Sequence, residues 1–226
     1  MRNLKCFAVT IAMLLCCITS SAETETFTVD GIKYSTTSES TVSIVKDSYS
    51  GDIVIPSSVI WNEIVYNVTS IDEYAFRGNT SLTSISLPES ITSIGLSAFY
   101  QCSSLTDIHL ASIASWLNIE FKDSYANPLR CNSQQKNLYL GEELITDLVV
   151  PEGVTAIPDY AFYYCNDITS ISLPEGVTSI GSHAFYGCSS LTSISLPESL
   201  TSIGSSAFDQ CSSLTDIHLA SIASWL

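Results

Sequence analysis

From Leu173 to Ser195 the chain reads LPEGVTSIGSHAFYGCSSLTSIS, with apolar residues at fixed places and small polar ones between them. The same order restarts at Leu196 as LPESLTSIGSSAFDQCSSLTDIH, an offset of 23 residues that also links Leu87 to Leu110 and Val150 to Leu173. A period of this size predicts a solenoid, whose thin coils bury their apolar residues only by stacking on one another. Within a coil, Leu105-Thr-Asp-Ile-His-Leu110 is spaced as a short strand with Leu105, Ile108 and Leu110 inward. Proline then ends it in most coils, at Pro88, Pro151, Pro174 and Pro197. A second extended piece, such as Val177-Thr-Ser-Ile-Gly181, adds two inward residues, and Ala184-Phe185 fills the far side. Gly95, Gly181 and Gly204 recur at the coil bend and form no phosphate loop.

The predicted elements run in order. Residues 1–22 read as a secretory signal: Arg2 and Lys5, an apolar stretch from Cys6 to Ile18, then Ser20 and Ala22 before the expected cleavage. A lipoprotein signal at Cys16 or Cys17 fits less well, because Leu15 and Cys16 stand where a small residue belongs. Residues 23–63 form an N-terminal β-rich cap, with Asp30-Gly31 as a two-residue hairpin turn. Repeats 1 and 2 fill residues 64–110. The register then stretches to 40 residues between Leu110 and Val150. Residues 111–149 are therefore a variant coil, with a helix from Ser112 to Phe121 and a hairpin from Asn137 to Val150. Repeats 3 to 5 occupy residues 150–218, and residues 219–226 start a second variant coil, since Cys211 to Leu226 copies Cys102 to Leu117 residue for residue. An open last coil implies fraying over 211–226 and self-association through that end.

Eight cysteines suggest a disulfide scaffold until they are placed. Cys6, Cys16 and Cys17 leave with the signal. Asn79, Cys102, Cys165, Cys188 and Cys211 fall at one repeat position, a structural ladder in which neighbouring Cβ vectors run parallel and bridging is disfavoured. The four thiols are expected buried and reduced, and Asn79 is expected to satisfy backbone groups of the adjacent coil. Cys131, outside the repeat, is expected to be exposed and reactive.

Composition narrows the function. Charged residues are 14% of the chain, against about 25% ordinarily, and the net charge is -15, or -15 minus 2, -17, without Arg2 and Lys5. Nucleic acid and anionic lipid are therefore poor partners. No later stretch has the length of a membrane span.

The units resemble the bacterial leucine-rich repeat of the BspA-like surface proteins, of the form L-x-x-I-x-L-P-x-x-V-x-x-I-G-x-x-A-F-x-x-C, over nearly all of residues 64–226. The resemblance implies a β-rich leucine-rich repeat solenoid with minor α content, secreted or at the cell surface. It also implies adhesion-type contact with a protein or glycan. The alternative is a truncated or purely structural segment of a longer repeat protein. A regular sheet face is where a solenoid's ligand surface is sought: here it comprises Ser84, Ser86, Asp107, His109, Ser170, Ser172, Ser193, Ser195, Asp216 and His218. Asp107 with His109, and Asp216 with His218, share a strand side, but nothing completes a four-ligand zinc set, so no metal or cofactor is assigned. His183 stands alone at a position the pattern exposes and receives no role. Serine is too frequent for any Ser/His/Asp grouping to count as a triad, and no catalytic residue is assigned. Trp116, Phe121 and Tyr125 of the variant coil read as core, with an interaction patch as the other possibility.

Overall fold

The computed structural model describes residues 24–131 and 135–220. The signal peptide expected over residues 1–22 and most of the second variant coil, from residue 221, lie outside the described residues. The rest is a β-solenoid. One side carries the parallel strands Gly51–Val54, Leu82–Leu87, Asp107–Leu110 and Asn137–Leu140. It resumes as Asp147–Val149, Ser170–Ser172, Ser193–Leu196 and Asp216–Leu219, again parallel. A narrower ribbon stacks on a second side, from Thr41–Ile44 through Ile64–Ile71 and Ser93–Ile94 to Glu120–Phe121. It continues as Ala156–Ile157, Ser179–Ile180 and Ser202–Ile203. The parallel pairing follows from the repeat, because each coil puts the same strand one layer further along.

The third side is a column of Ala-Phe turns. The amide of Phe76 donates to Ala98 O, that of Phe162 to Ala184 O, and that of Phe185 to Ala207 O. Phe76 and Phe99 stack at 5.0 Å, and Phe162, Phe185 and Phe208 follow at 5.3 Å each. These spacings approximate the strand-to-strand distance of about 4.8 Å, so one side-chain type at one repeat position stacks on itself without adjustment. Tyr49 heads the column at 4.7 Å from Phe76. Threonines tie coil to coil: Thr92 Oγ1 donates to Thr69 O, Thr192 Oγ1 to Thr169 O and Thr201 Oγ1 to Thr178 O. Glycine is required at the bend because the backbone of the preceding coil is so near. A Cβ on Gly181 would lie 2.5 Å from Asp159 N.

The turn at Asp30 (φ 48) and Gly31 (φ 79) closes an antiparallel hairpin with Val29 opposite Ile32. A second hairpin turns at Asn62 (φ 50) and Glu63 (φ 66), both left-handed, and pairs Ser58–Trp61 with the start of Ile64–Ile71. The variant coil keeps the stack continuous. Its helix, Ile113–Leu117, is capped by Ser112, whose hydroxyl accepts from Ser115 N. Trp116 is buried and its Nε1 donates to Ala161 O of the next coil at 2.9 Å. Ala126 and Leu129 are buried in the interior of this coil, and the amide of Phe99 donates to Tyr125 O in place of the alanine carbonyl of a regular coil.

Cysteine geometry matches the ladder at three rungs. Cys102 Sγ donates to Phe76 O at 3.0 Å, and Cys188 and Cys211 donate to Phe162 O and Phe185 O at 3.1 Å. Asn79 does the same work with both its ends, accepting from Tyr49 N and donating to Asp47 O. The five described cysteines form no disulfide with one another. Cys131 departs from expectation: it is buried, not exposed, with its sulfur toward Leu105 O at 3.9 Å. The short 3-10 turn Pro128–Arg130, capped by Asn127, folds this irregular loop inward. On the last described strand Ile217 is 57% exposed, whereas Ile194, its neighbour in the preceding coil, is 1% exposed.

Candidate functional site

The sheet positions singled out from the sequence fall into in-register columns. Ser84 pairs with Asp107 and Ser86 with His109, and beyond them stand Asn137 and Tyr139. After the hairpin, Ser170, Ser193 and Asp216 form one column and Ser172, Ser195 and His218 the other. The Asp–His pairs do not converge on a common point. Asp107 accepts from Asn137 Nδ2 at 2.6 Å, while the His109 ring sits 2.8 Å from Gly141 O through Nδ1 and stacks on Tyr139 at 4.4 Å. Asp216 accepts from its neighbour Thr215. No group of three or more metal-ligating side chains assembles among the described residues. Ser84 is buried, whereas Ser172, Ser195, Asp216 and His218 are exposed, so the face opens toward the second half of the chain.

A different surface gathers the large side chains. Tyr74 and Tyr100 flank the Arg77 guanidinium at 5.1 and 5.3 Å from their ring centres. Tyr100 meets Tyr125 edge-on at 4.9 Å, and the Arg130 guanidinium lies over Tyr125 at 5.1 Å, Tyr160 at 4.5 Å and Tyr163 at 5.7 Å. Tyr163 stacks on Tyr186 at 5.1 Å and Tyr160 on His183 at 5.2 Å. One unbroken chain of ring and guanidinium contacts thus runs along the outer edge of the Ala-Phe turns, from Tyr74 to Tyr186. His183, expected exposed and alone, is half-buried within it. Sequence reading missed this ridge because each member occupies a variable place beside Ala-Phe. The recurrence one period later of Tyr160 as His183, Tyr163 as Tyr186 and Arg77 as Tyr100 hints at it.

Beside the ridge a cleft of about 310 Å³ is lined by Ile119, Phe121, Asp123, Ser124, Asn127, Pro158, Asp159 and Tyr160. Asp123 accepts from Ser97 N, Ser97 Oγ and Ala126 N, and Asp159 from Ser182 N. A larger hollow of about 390 Å³ near the hairpin has a mostly aliphatic lining, from Ile113 and Leu140 to Val149.

Inside the variant coil lies Lys136, wholly buried, which nothing in its polar sequence neighbourhood marked. Its Nζ donates to Leu105 O at 2.9 Å. Burial lowers its pKa, opposed by the neighbouring Cys131, Cys165 and Cys102 thiols. Burial also pushes the thiols up, Cys102 to about 12 and Cys211 to about 11, which makes them poor nucleophiles.

The sequence matches the BspA type leucine rich repeat region in six copies, over residues 43–138 and 132–224. Among solved structures it is similar to a leucine rich cell surface protein from Faecalibacterium prausnitzii A2-165, with 27% identity and a TM-score of 0.57 over 87% of this chain and 55% of that one. It is also similar to a leucine-rich repeat protein from Bacteroides ovatus ATCC 8483, with 27% identity and a TM-score of 0.51 over 87% of this chain and 56% of that one. The chain therefore spans little more than half the length of these two structures. No curated protein matches the sequence significantly.

Proposed function

We propose, from the premise that this chain belongs to the BspA-type leucine-rich repeat family, that it is a secreted or cell-surface, non-catalytic module that binds an extracellular protein or glycan. The observation carrying this reading is the register of the outer side chains: coil after coil holds the same position on a hydrogen-bonded frame, as in Ser170, Ser193 and Asp216. Such a frame presents a row of contacts already ordered, which lowers the entropy lost on binding. The buried, high-pKa thiols and the tethered Asp107 and His109 supply no activated nucleophile or base, so recognition rather than turnover is the chemistry this arrangement serves. The open sheet columns at Ser172, Ser195 and His218 form one candidate contact face within this reading. One of the structural relatives bears the description of a cell surface protein, which favours the same location here.

The test is a screen of the purified chain against arrays of matrix proteins and glycans, with and without a chelator. Saturable binding that survives chelation is expected, weakened when Ser172→Arg and Ser195→Arg crowd the sheet face if the partner docks there. A screen with no saturable partner under any condition would defeat the proposal.

A further inference from the structure

The aromatic ridge and its cleft differ from the sheet face in kind. Tyrosine and arginine dominate the energetics of protein recognition surfaces, whereas small hydroxyl residues contribute little. Arg2 lies in the expected signal, so the two arginines that remain, Arg77 and Arg130, both stand on this ridge. Among the described residues the salt bridge found is Lys122 with Glu120, and neither arginine joins it. Each guanidinium instead lies against tyrosine rings, which fix its position, with no carboxylate of the described residues within salt-bridge distance. The rings stack along the solenoid axis, Tyr163 on Tyr186 at 13° and Tyr160 on His183 at 16°, so they cover one another's faces and turn their edges outward.

The adjoining cleft has complementary chemistry. Asp123 and Asp159 line it as acceptors, and Tyr160 both lines it and carries the Arg130 guanidinium on its ring. Its volume of about 310 Å³ lies at the small end of the range for ligand pockets, about 300–1,000 Å³. Carboxylates there would repel an anion but accept hydroxyl donors. A ligand that suits both parts therefore carries hydroxyls on one unit and an acid group on the next.

We propose that the ridge and cleft together bind a glycan in which neutral sugars alternate with uronic acids. A neutral sugar occupies the cleft between Asp123, Asp159 and Tyr160, and the carboxylate of its neighbour meets Arg130. The stack of rings toward Arg77 lets the glycan continue along the solenoid, with one coil advancing about 4.8 Å. The inference rests on the reading of the chain as a binding module but not on its sheet face.

Isothermal calorimetry with hyaluronan octasaccharide, uncharged chitin oligosaccharide and a polyglutamate peptide tests it on the intact chain. Hyaluronan is expected to bind, more weakly as salt rises, and chitin and polyglutamate at least about tenfold more weakly, each lacking one of the two features. Arg130→Gln is expected to weaken hyaluronan binding about tenfold, the loss of one charge-assisted contact. Arg77→Gln acts in the same direction, and Ser172→Arg on the sheet face has no effect. Tyr160→Phe keeps the ring stack and separates loss of contact from loss of fold, which circular dichroism monitors for each variant. Three results would overturn the proposal: no hyaluronan binding, equal binding of chitin, or polyglutamate binding as tightly with the same sensitivity to Arg130→Gln. If those outcomes came with a positive array screen blocked at the sheet face, the ridge assignment alone would fall.

Discussion

At the scale of single residues, the thiols and phenols that hold the turns together make the fold sensitive to alkali. Desolvation by burial raises the pKa of Cys102 to about 12, of Cys211 to about 11 and of Tyr49 to about 12, and those of Cys165, Cys188 and Tyr34 move the same way. A group whose pKa is higher folded than unfolded keeps its proton in the native state after the unfolded chain has lost it. Its stabilisation is whole below the unfolded value, 9.0 for the thiols and 10.0 for the phenols, and drains away as pH rises through the gap. Lys136 acts oppositely, because its lowered pKa lets the unfolded chain hold the extra proton up to about the ordinary lysine value of 10.5. Four thiols and two phenols outweigh one ammonium. The free energy of unfolding, and with it the urea midpoint, is therefore expected to fall from about pH 9 to pH 11, by at most roughly 1.4 kcal/mol per pH unit for each fully buried thiol and less for the partly exposed Cys211. A midpoint that stayed flat or rose would contradict the burial of these groups. The thiol ladder was legible in the sequence because Cys102, Cys165, Cys188 and Cys211 share one register. Lys136 was not, since a lysine between Gln135 and Asn137 carries no mark of burial and its partner Leu105 lies 31 residues away.

At the scale of elements, the variant coil decides whether the two halves of the solenoid act as one. Ser112 and the spacing of Ile113, Trp116 and Leu117 announced the helix, which spans Ile113–Leu117 and ends before Phe121. The contact that matters was not visible: Trp116 reaches Ala161, 45 residues on, and so ties the variant coil to the Ala-Phe turn of the next coil. Trp116→Ala removes a buried ring and a hydrogen bond together and is expected to cost about 3–5 kcal/mol. It should also split one cooperative transition into two, since coils stabilise one another mainly through nearest neighbours. Trp116→Phe keeps most of the volume and should unfold in a single step. Differential scanning calorimetry separates these outcomes, and a single unshifted transition for Trp116→Ala would show that the variant coil does not couple the halves. Cys131 illustrates the limit of reading a loop from its sequence: the Asn127 cap and the Pro128 turn direct the chain inward, and neither signal states which way a loop folds.

At the scale of the whole molecule, periodicity revealed the coil, the inward residues and the face of the sheet, because a repeat states its own contacts five times over. The ridge escaped it for the complementary reason. Its members stand directly before Ala (Tyr74, Tyr160, His183) or directly after Phe (Arg77, Tyr100, Tyr163, Tyr186), positions whose residue type varies from coil to coil, and Tyr125 and Arg130, which join the two halves of the ridge, belong to the irregular insert. A rigid solenoid that binds through side chains held at coil spacing does so without rearrangement. Hydrogen exchange of the chain saturated with hyaluronan octasaccharide tests this most directly. Slowed exchange is expected at the ridge turns, residues 74–78, 97–101, 125–130, 160–164 and 183–187, with exchange in the sheet strands unchanged. Protection spread evenly through the solenoid, or absent from these turns at saturation, would contradict it.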